Sequence, residues 1–540
     1  MPKQREKYRI YFDAINTKAY GVLTLSFGIL FGLHGCSTLP PLNAPKPTYS
    51  TDFDTSKTAL SHLITPLKQQ NQGLTGYHVL FDPLEAIAAR LSLINKAQKT
   101  LDIQYYIWDN DKIGALALYD IIQAADRGVK VRLLIDDNNA KKMEGIFLAL
   151  DQHVNIQVKL YNPYKYRNFR PLDMVLDLKR INRRMHIKSF IVDNQIALIG
   201  GRNMSNQYYF TSDNYQFSDI DILLVGQSVD QINHSFDDYW NDSYAYPIRQ
   251  LVNPRQHLLR YDSLKKQLTE HYKRVSVQDY LNLANHSDAF DHWLYHDLKL
   301  DWVKADVVSD APSKIHGTAK PNEFLQQQLS QYLKQPKKHL DIVSAYFVPE
   351  KKGTDFLNQL SNNGVQVRIL TNSFKANDVW LVHAFYSKYR EALLKNGVQL
   401  YEFLPTLSYK ELKPYTKNLS REAKISLKSL SRSSLHAKMM AVDDQVFIGS
   451  FNLDPRSSQL NSEIGVLLNS PALADEIHQT LSENIDAYSY QLQLTPDNKI
   501  TWTKKLSTGG TVTFDKEPKM TWWQHNGLQL ISWLPLEGMM

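Results

Sequence analysis

Two short runs carry the side chains most capable of chemistry, Met185-His-Ile-Lys-Ser-Phe-Ile-Val-Asp193 and Leu435-His-Ala-Lys-Met-Met-Ala-Val-Asp443. Each is a His-x-Lys-x(4)-Asp motif. In a strand, residues i and i+2 share a face, so His186 is expected to project with Lys188, and His436 with Lys438. An imidazole can attack or move a proton, and an ammonium neutralises an anionic oxygen. The combination suits substitution at a phosphodiester, whose charge otherwise repels nucleophiles. Asp193 and Asp443 fall where each strand must turn, beside Asn194 or Asp444, and Asp side chains at turns bond local backbone. Both are expected to be structural.

A second apolar run follows each motif, at 196–201 and 446–450, so each unit reads as a hairpin. Beyond lie Gly200-Gly-Arg-Asn203 and Gly449-Ser-Phe-Asn452, then Asp219-Ile-Asp-Ile-Leu-Leu and Glu463-Ile-Gly-Val-Leu-Leu. A catalytic imidazole needs one nitrogen free and the other held by an acceptor, which makes the matching carboxylates Asp219 and Glu463 the expected orienters. Asp221 has no acidic counterpart, because Gly465 stands there. Asn203, Asn452 and Ser450 are expected to donate to phosphate oxygens. No spaced set of His or carboxylate ligands stands apart from these residues, so no metal or other cofactor is expected.

The motifs belong to a duplication. Leu101-Asp-Ile-Gln-Tyr-Tyr-Ile-Trp echoes Leu340-Asp-Ile-Val-Ser-Ala-Tyr-Phe, and Gly128-Val-Lys-Val-Arg-Leu-Leu echoes Gly364-Val-Gln-Val-Arg-Ile-Leu. The histidines are spaced more widely than these strands, which predicts an extra loop between Leu404 and Ser434. Strands alternate with helices in each half, an α/β layered pattern. The first helix is signalled by Asp82-Pro-Leu-Glu85, a cap with proline at the first turn.

Composition is that of a folded globular chain of 540 residues, 43% hydrophobic and 22% charged, long enough for two domains. The net charge is +7, of which residues 1–35 contribute +3, so the remainder is only mildly basic. That balance suits an anionic lipid surface without demanding nucleic acid. The single cysteine, Cys36, rules out an internal disulfide. It ends a basic then apolar leader whose Leu33-His-Gly-Cys36 resembles a bacterial lipobox, with His34 departing from the usual small residue. This predicts a lipid anchor at Cys36 in the cell envelope, facing the periplasm, followed by a Pro-rich tether. Ser37 resembles the sorting position of outer-membrane lipoproteins.

Taken together, residues 75–540 resemble the phospholipase D superfamily. Asp136-Asp-Asn-Asn139, Asn182-Arg-Arg184, Gly449-Ser-Phe-Asn-Leu-Asp-Pro-Arg-Ser457 and Ser532-Trp-Leu-Pro535 further resemble its bacterial C-type cardiolipin synthases. The resemblance implies two pseudo-symmetric α-β-α domains of mostly mixed sheets, side by side, with the active site at their interface. It implies a phosphohistidine intermediate, with His186 as nucleophile and His436 as acid then base. The expected segments are a leader over 1–35, an anchored linker over 36–74, domains over 75–300 and 301–490, and an extension over 491–540.

Phosphatidylglycerol is the expected acceptor, with phosphatidylethanolamine as a further lipid partner. The motifs themselves leave open hydrolysis to phosphatidic acid, a nuclease, and a non-catalytic lipid binder. Two features point to a membrane surface. The C-terminal segment holds Trp522, Trp523, Leu530, Trp533 and Leu534, and basic stretches at 164–184 and 410–432 could hold anionic headgroups.

Overall fold

The computed structural model describes residues 39–540, apart from 44, 213–215, 285–293, 295–297, 405–432, 507–508, 535 and 540. The leader, Cys36 and nearly all of the extra loop expected after Leu404 lie outside the described residues.

Two large mixed sheets carry the duplication. In the first, seven strands run in the order Thr75–Leu80, Asp221–Gly226, Ile196–Gly200, Ser189–Val192, Thr100–Tyr105, Lys130–Asp136 and Ile156–Tyr161. In the second, the same order is filled by Ala305–Ser309, Ile464–Leu468, Gln445–Gly449, Lys438–Val442, His339–Ser344, Gln366–Asn372 and Gln399–Phe403. The last three strands of each set are parallel and the others antiparallel. The repeat therefore extends through the whole sheet, and the expected pair of pseudo-symmetric α/β domains is observed.

Buried ion pairs repeat as well. Arg132 grips Asp102 through two bonds of 2.6 and 2.7 Å, and Arg368 grips Asp341 through two of the same lengths. Each arginine also reaches the helix that crosses its sheet: Arg132 meets Asp237, and Arg368 meets the His478 carbonyl. Removing one member would strand a buried charge. A single apolar cluster, including Ile187, Ile222 and Trp240 of the first half and Ala441, Ile464 and Ile477 of the second, fuses the two halves.

The helix Pro83–Lys96 starts as its cap predicts, with Asp82 accepting from the amides of Leu84 and Glu85. Glu85 itself turns to His78, at 2.7 Å.

Residues 36–74 are not a free tether where they are described. Thr48 and Ser50 are bonded to Trp240, Asn241 and Asp237, and the helix Ala59–Gln70 buries Leu60 and Ile64 in the first core. The sheets also redraw the expected limits. Asp301–Val303 pairs with the first sheet, and Ser489–Leu494, Ile500–Lys505 and Thr511–Phe514 extend the second past residue 490. The helix Trp522–Ser532 buries Leu528 and exposes Trp522, Trp523 and Leu530, so it packs on the fold and still presents an apolar face.

Candidate active site

Each motif histidine lies in extended chain just before a ladder strand, and each is paired to the opposite half. The His186 amide donates to the Ser462 carbonyl at 2.9 Å, and the His436 amide to the Ser218 carbonyl at 2.7 Å. Equivalent residues at the ends of the third strands of the repeat fix the approach: Asp136 accepts from the Met185 amide, and Asn372 from the Leu435 amide. Interface and motif are thus built by the same backbone bonds.

Those cross-pairings deliver the carboxylates. Glu463, from the second half, holds His186 Nδ1 at 2.8 and 3.0 Å; Asp219, from the first, holds His436 Nδ1 at 2.6 Å. A carboxylate on Nδ1 requires the proton there and leaves Nε2 bare. Lys188 donates to the His186 carbonyl at 2.6 Å, and Lys438 to the His436 carbonyl. The four side chains of the two His-Lys pairs and both carboxylates are buried together between the halves.

Burial dominates the electrostatics. It pushes the His186 imidazole down to about 4 against the upward pull of Glu463, and lowers His436, where Lys438 acts in the same direction. Burial likewise pushes Lys188 down to about 7 and lowers Lys438. For the carboxylates, burial alone would raise the pKa, but His436 with Lys438, and His186 with Lys188, outweigh it and hold Asp219 and Glu463 below the usual range. At neutral pH the result is two neutral imidazoles, each with a bare nitrogen and an ionised partner. An anion entering between the lysines would favour their charged forms.

The other expected site residues are placed less uniformly. Asp193 and Asp443 adopt left-handed backbone, φ 48° and 49°, and each accepts from three successive backbone amides, 98–100 and 337–339 respectively. Asn203 accepts from the Ile107 amide and spends one amide hydrogen on Tyr208. The Asn452 side-chain oxygen is buried without a partner. Ser450 departs from its expected role as a phosphate donor. Its one hydroxyl hydrogen goes to Glu463 Oε2 at 2.5 Å, and its oxygen accepts from the Ile464 amide, so it braces the carboxylate instead.

The basic stretch at 164–184 departs too. Lys165, Arg167, Arg170, Arg180 and Arg184 are taken up in ion pairs with Asp136, Asp137, Glu144, Asp173 and Asp177, which leaves them little capacity to hold headgroups.

The family profile described as "Cardiolipin synthase, PLD-like domain" matches residues 91–240 and 329–485, one block around each motif. Cardiolipin synthase C of Escherichia coli K12 is 37% identical over 482 residues, spanning 89% of this chain and 99% of the relative. The chain belongs to the phospholipase D-like cardiolipin synthase family. The major cardiolipin synthase ClsA of Bacillus subtilis is 24% identical over 409 residues, 75% of this chain and 68% of that relative. Among solved structures, phosphatidylserine synthase of Haemophilus influenzae is similar with a TM-score of 0.49 at 14% identity, covering 87% of this chain and 96% of that one.

In this cardiolipin synthase-family chain, several residues near the site had no role assigned from the sequence. Tyr106 packs edge-on against His186 at 5.0 Å, and Tyr208 and Phe217 pack against His436 at 5.2 and 4.8 Å. Asp310 accepts from the Glu463 amide and from Lys314, and burial pushes it up to about 6. Asn182 and Arg456 bond to each other across the interface, and Arg183 reaches the Lys314 carbonyl. Asp136 and Asn372 were findable, because they stand at matching positions of the duplicated strands. The aromatic residues share no such signal.

Proposed function

We propose that the chain is a cardiolipin synthase that works by two-step phosphatidyl transfer, with His186 as nucleophile and His436 as acid then base. The observation that carries this reading is the crossed pair of carboxylate–imidazole bonds to Nδ1, each on a histidine whose carbonyl accepts from the buried lysine of its own motif. Nε2 of His186 attacks phosphorus of the donor lipid, a P–N bond forms, and the P–O bond to the headgroup alcohol breaks. For this step His436 is the imidazolium, carrying a second proton at Nε2 that the anionic phosphate between the halves favours, and it gives that Nε2 proton to the departing alkoxide. It then takes the proton from a hydroxyl of phosphatidylglycerol, whose oxygen displaces His186 and yields cardiolipin. The lysines, as ammonium groups, neutralise the phosphate charge, and Asn452 supports its oxygens.

Membrane attachment through a lipidated Cys36, on the periplasmic side, belongs to the same reading. It is supported by the lipobox-like sequence and by the exposed tryptophans of Trp522–Ser532. No helix among the described residues is long and apolar enough to cross a membrane.

The test is incubation of the purified chain with phosphatidylglycerol, with and without phosphatidylethanolamine, and mass spectrometry of the products. Cardiolipin is expected, and phosphatidic acid alone would make the chain a hydrolase. With 32P-labelled donor, a phosphoenzyme should accumulate in His436→Ala and be absent in His186→Ala. The reverse pattern overturns the role assignment.

A further inference from the structure

The stretch 167–178 is built inside out. Its arginines turn inward, Arg167 and Arg170 both sharing Asp137 and Glu144, and the Asp173 side chain is fully buried, accepting from the amides of Lys165 and Tyr166. Its apolar side chains turn outward: Phe169, Met174, Val175, Leu176 and Leu178 are all exposed, Val175 by 70%. A neighbour extends the patch. Glu144 also meets His257 at 3.8 Å, and the adjoining Leu258 is 91% exposed. A contiguous set of exposed large apolar side chains on a polar, ion-paired base marks a surface that is covered in use.

Three observations say what covers it. Lys141, Lys142 and Lys179 are exposed beside the patch, a charge that favours an anionic partner. Pro40 and Phe169 line one cavity of about 490 Å³, and Tyr246 donates to the Pro40 carbonyl at 3.1 Å. Three residues intervene between Cys36 and Pro40, so four chain steps of about 3.5 Å limit the reach from Pro40 to Cys36 to about 14 Å. An acyl chain there would enter a bilayer on the same face as the patch, and durable attachment takes two such signals. Finally, the stretch runs into Arg184, Met185 and His186, whose approach Asp136 clamps.

We propose that residues 167–178 form a lipid-inserting wedge that seats the active-site mouth on an anionic bilayer. The wedge rests on the lipid-transfer reading above, and presents His186 to headgroups held at the bilayer surface. Its rigid ion-paired base lets Met174, Val175 and Leu176 enter the interface without rearrangement.

The test uses the full chain carrying Cys36→Ala, so that no acyl anchor contributes, and vesicles of phosphatidylglycerol or of phosphatidylcholine. Flotation with phosphatidylglycerol vesicles is expected to fall at least tenfold in Met174→Ser/Val175→Ser/Leu176→Ser, with turnover of detergent-dispersed phosphatidylglycerol retained. Unchanged flotation overturns the wedge. Should the triple variant misfold, Val175→Cys in the Cys36→Ala chain, labelled with a polarity-sensitive fluorophore, answers the same question. A blue shift on phosphatidylglycerol vesicles supports insertion. Emission that ignores vesicles, or shifts only when another protein is added, overturns it. Insertion without any cardiolipin formed would leave the wedge standing and defeat the transfer reading instead.

Discussion

In the first half the orienting carboxylate is Asp219 and the residue against it is Gly201; in the second they are Glu463 and Ser450. A Cβ on Gly201 would come within 2.1 Å of Asp219 Oδ1, whereas the Ser450 side chain fits and donates to Glu463 at 2.5 Å. Glutamate carries its carboxyl one methylene further from the backbone, which leaves room for a serine. Aspartate's shorter arm holds its carboxyl where that serine would stand, and its extra donor is the Ile220 amide, at 2.8 Å. Two copies of one design have thus diverged in a coordinated way, side-chain length against side-chain size, while each keeps one imidazole and one further donor on the carboxylate. The pair at 201 and 219 is one unit, and the pair at 450 and 463 is another.

The largest effect should come from removing the acceptor charge. Asp219→Asn and Glu463→Gln keep the shape but not the Nδ1 tautomer, and each should lower kcat by about 10²–10⁴-fold. Mass-spectrometric product assays measure this, and a loss under tenfold in either variant would break the proposed division of labour. Gly201→Ser should cost about 100-fold by displacing Asp219, and Ser450→Gly only about tenfold by deleting one charge-assisted bond. The sharper arm is the double variant Gly201→Ser/Asp219→Glu, which transplants the second seat into the first. It should recover at least tenfold over Gly201→Ser, and no recovery would mean that the two positions are not coupled.

The smallest effect concerns the motif aspartates. Both hold three amides, but Asp193 is fully buried and Asp443 is half-buried. Urea unfolding should show Asp193→Ala losing about 2–3 kcal/mol and Asp443→Ala about 1 kcal/mol, because solvent can replace the lost partner only at the second site.

Much of this was readable in the chain. The repeated strands predicted the repeated sheets, since burial on both faces of a central strand demands the same apolar runs twice. Asp193 and Asp443 were readable as turn residues because a left-handed residue with a local acceptor is a short-range matter. The role expected of Ser450 was not met, because its hydroxyl has two partners within reach and only packing selects Glu463. The stretch at 164–184 was read as a basic surface. Counting charges along the sequence cannot show that Asp136, Asp137 and Glu144 arrive from neighbouring elements to neutralise it.

What the sequence determined by itself was the inventory: two histidines, two lysines, two carboxylates at matching places, and strands to carry them. Local period and turn chemistry are enough for that. What only the tertiary structure decided was the crossing, Glu463 to His186 and Asp219 to His436, between residues 277 and 217 positions apart. Within either half the motifs and the carboxylates look self-sufficient. Backbone pairing of each motif against the opposite half, at Ser462 and Ser218, places the partner's carboxylate against each imidazole, and no periodicity along one chain encodes a contact made by docking two copies of a fold.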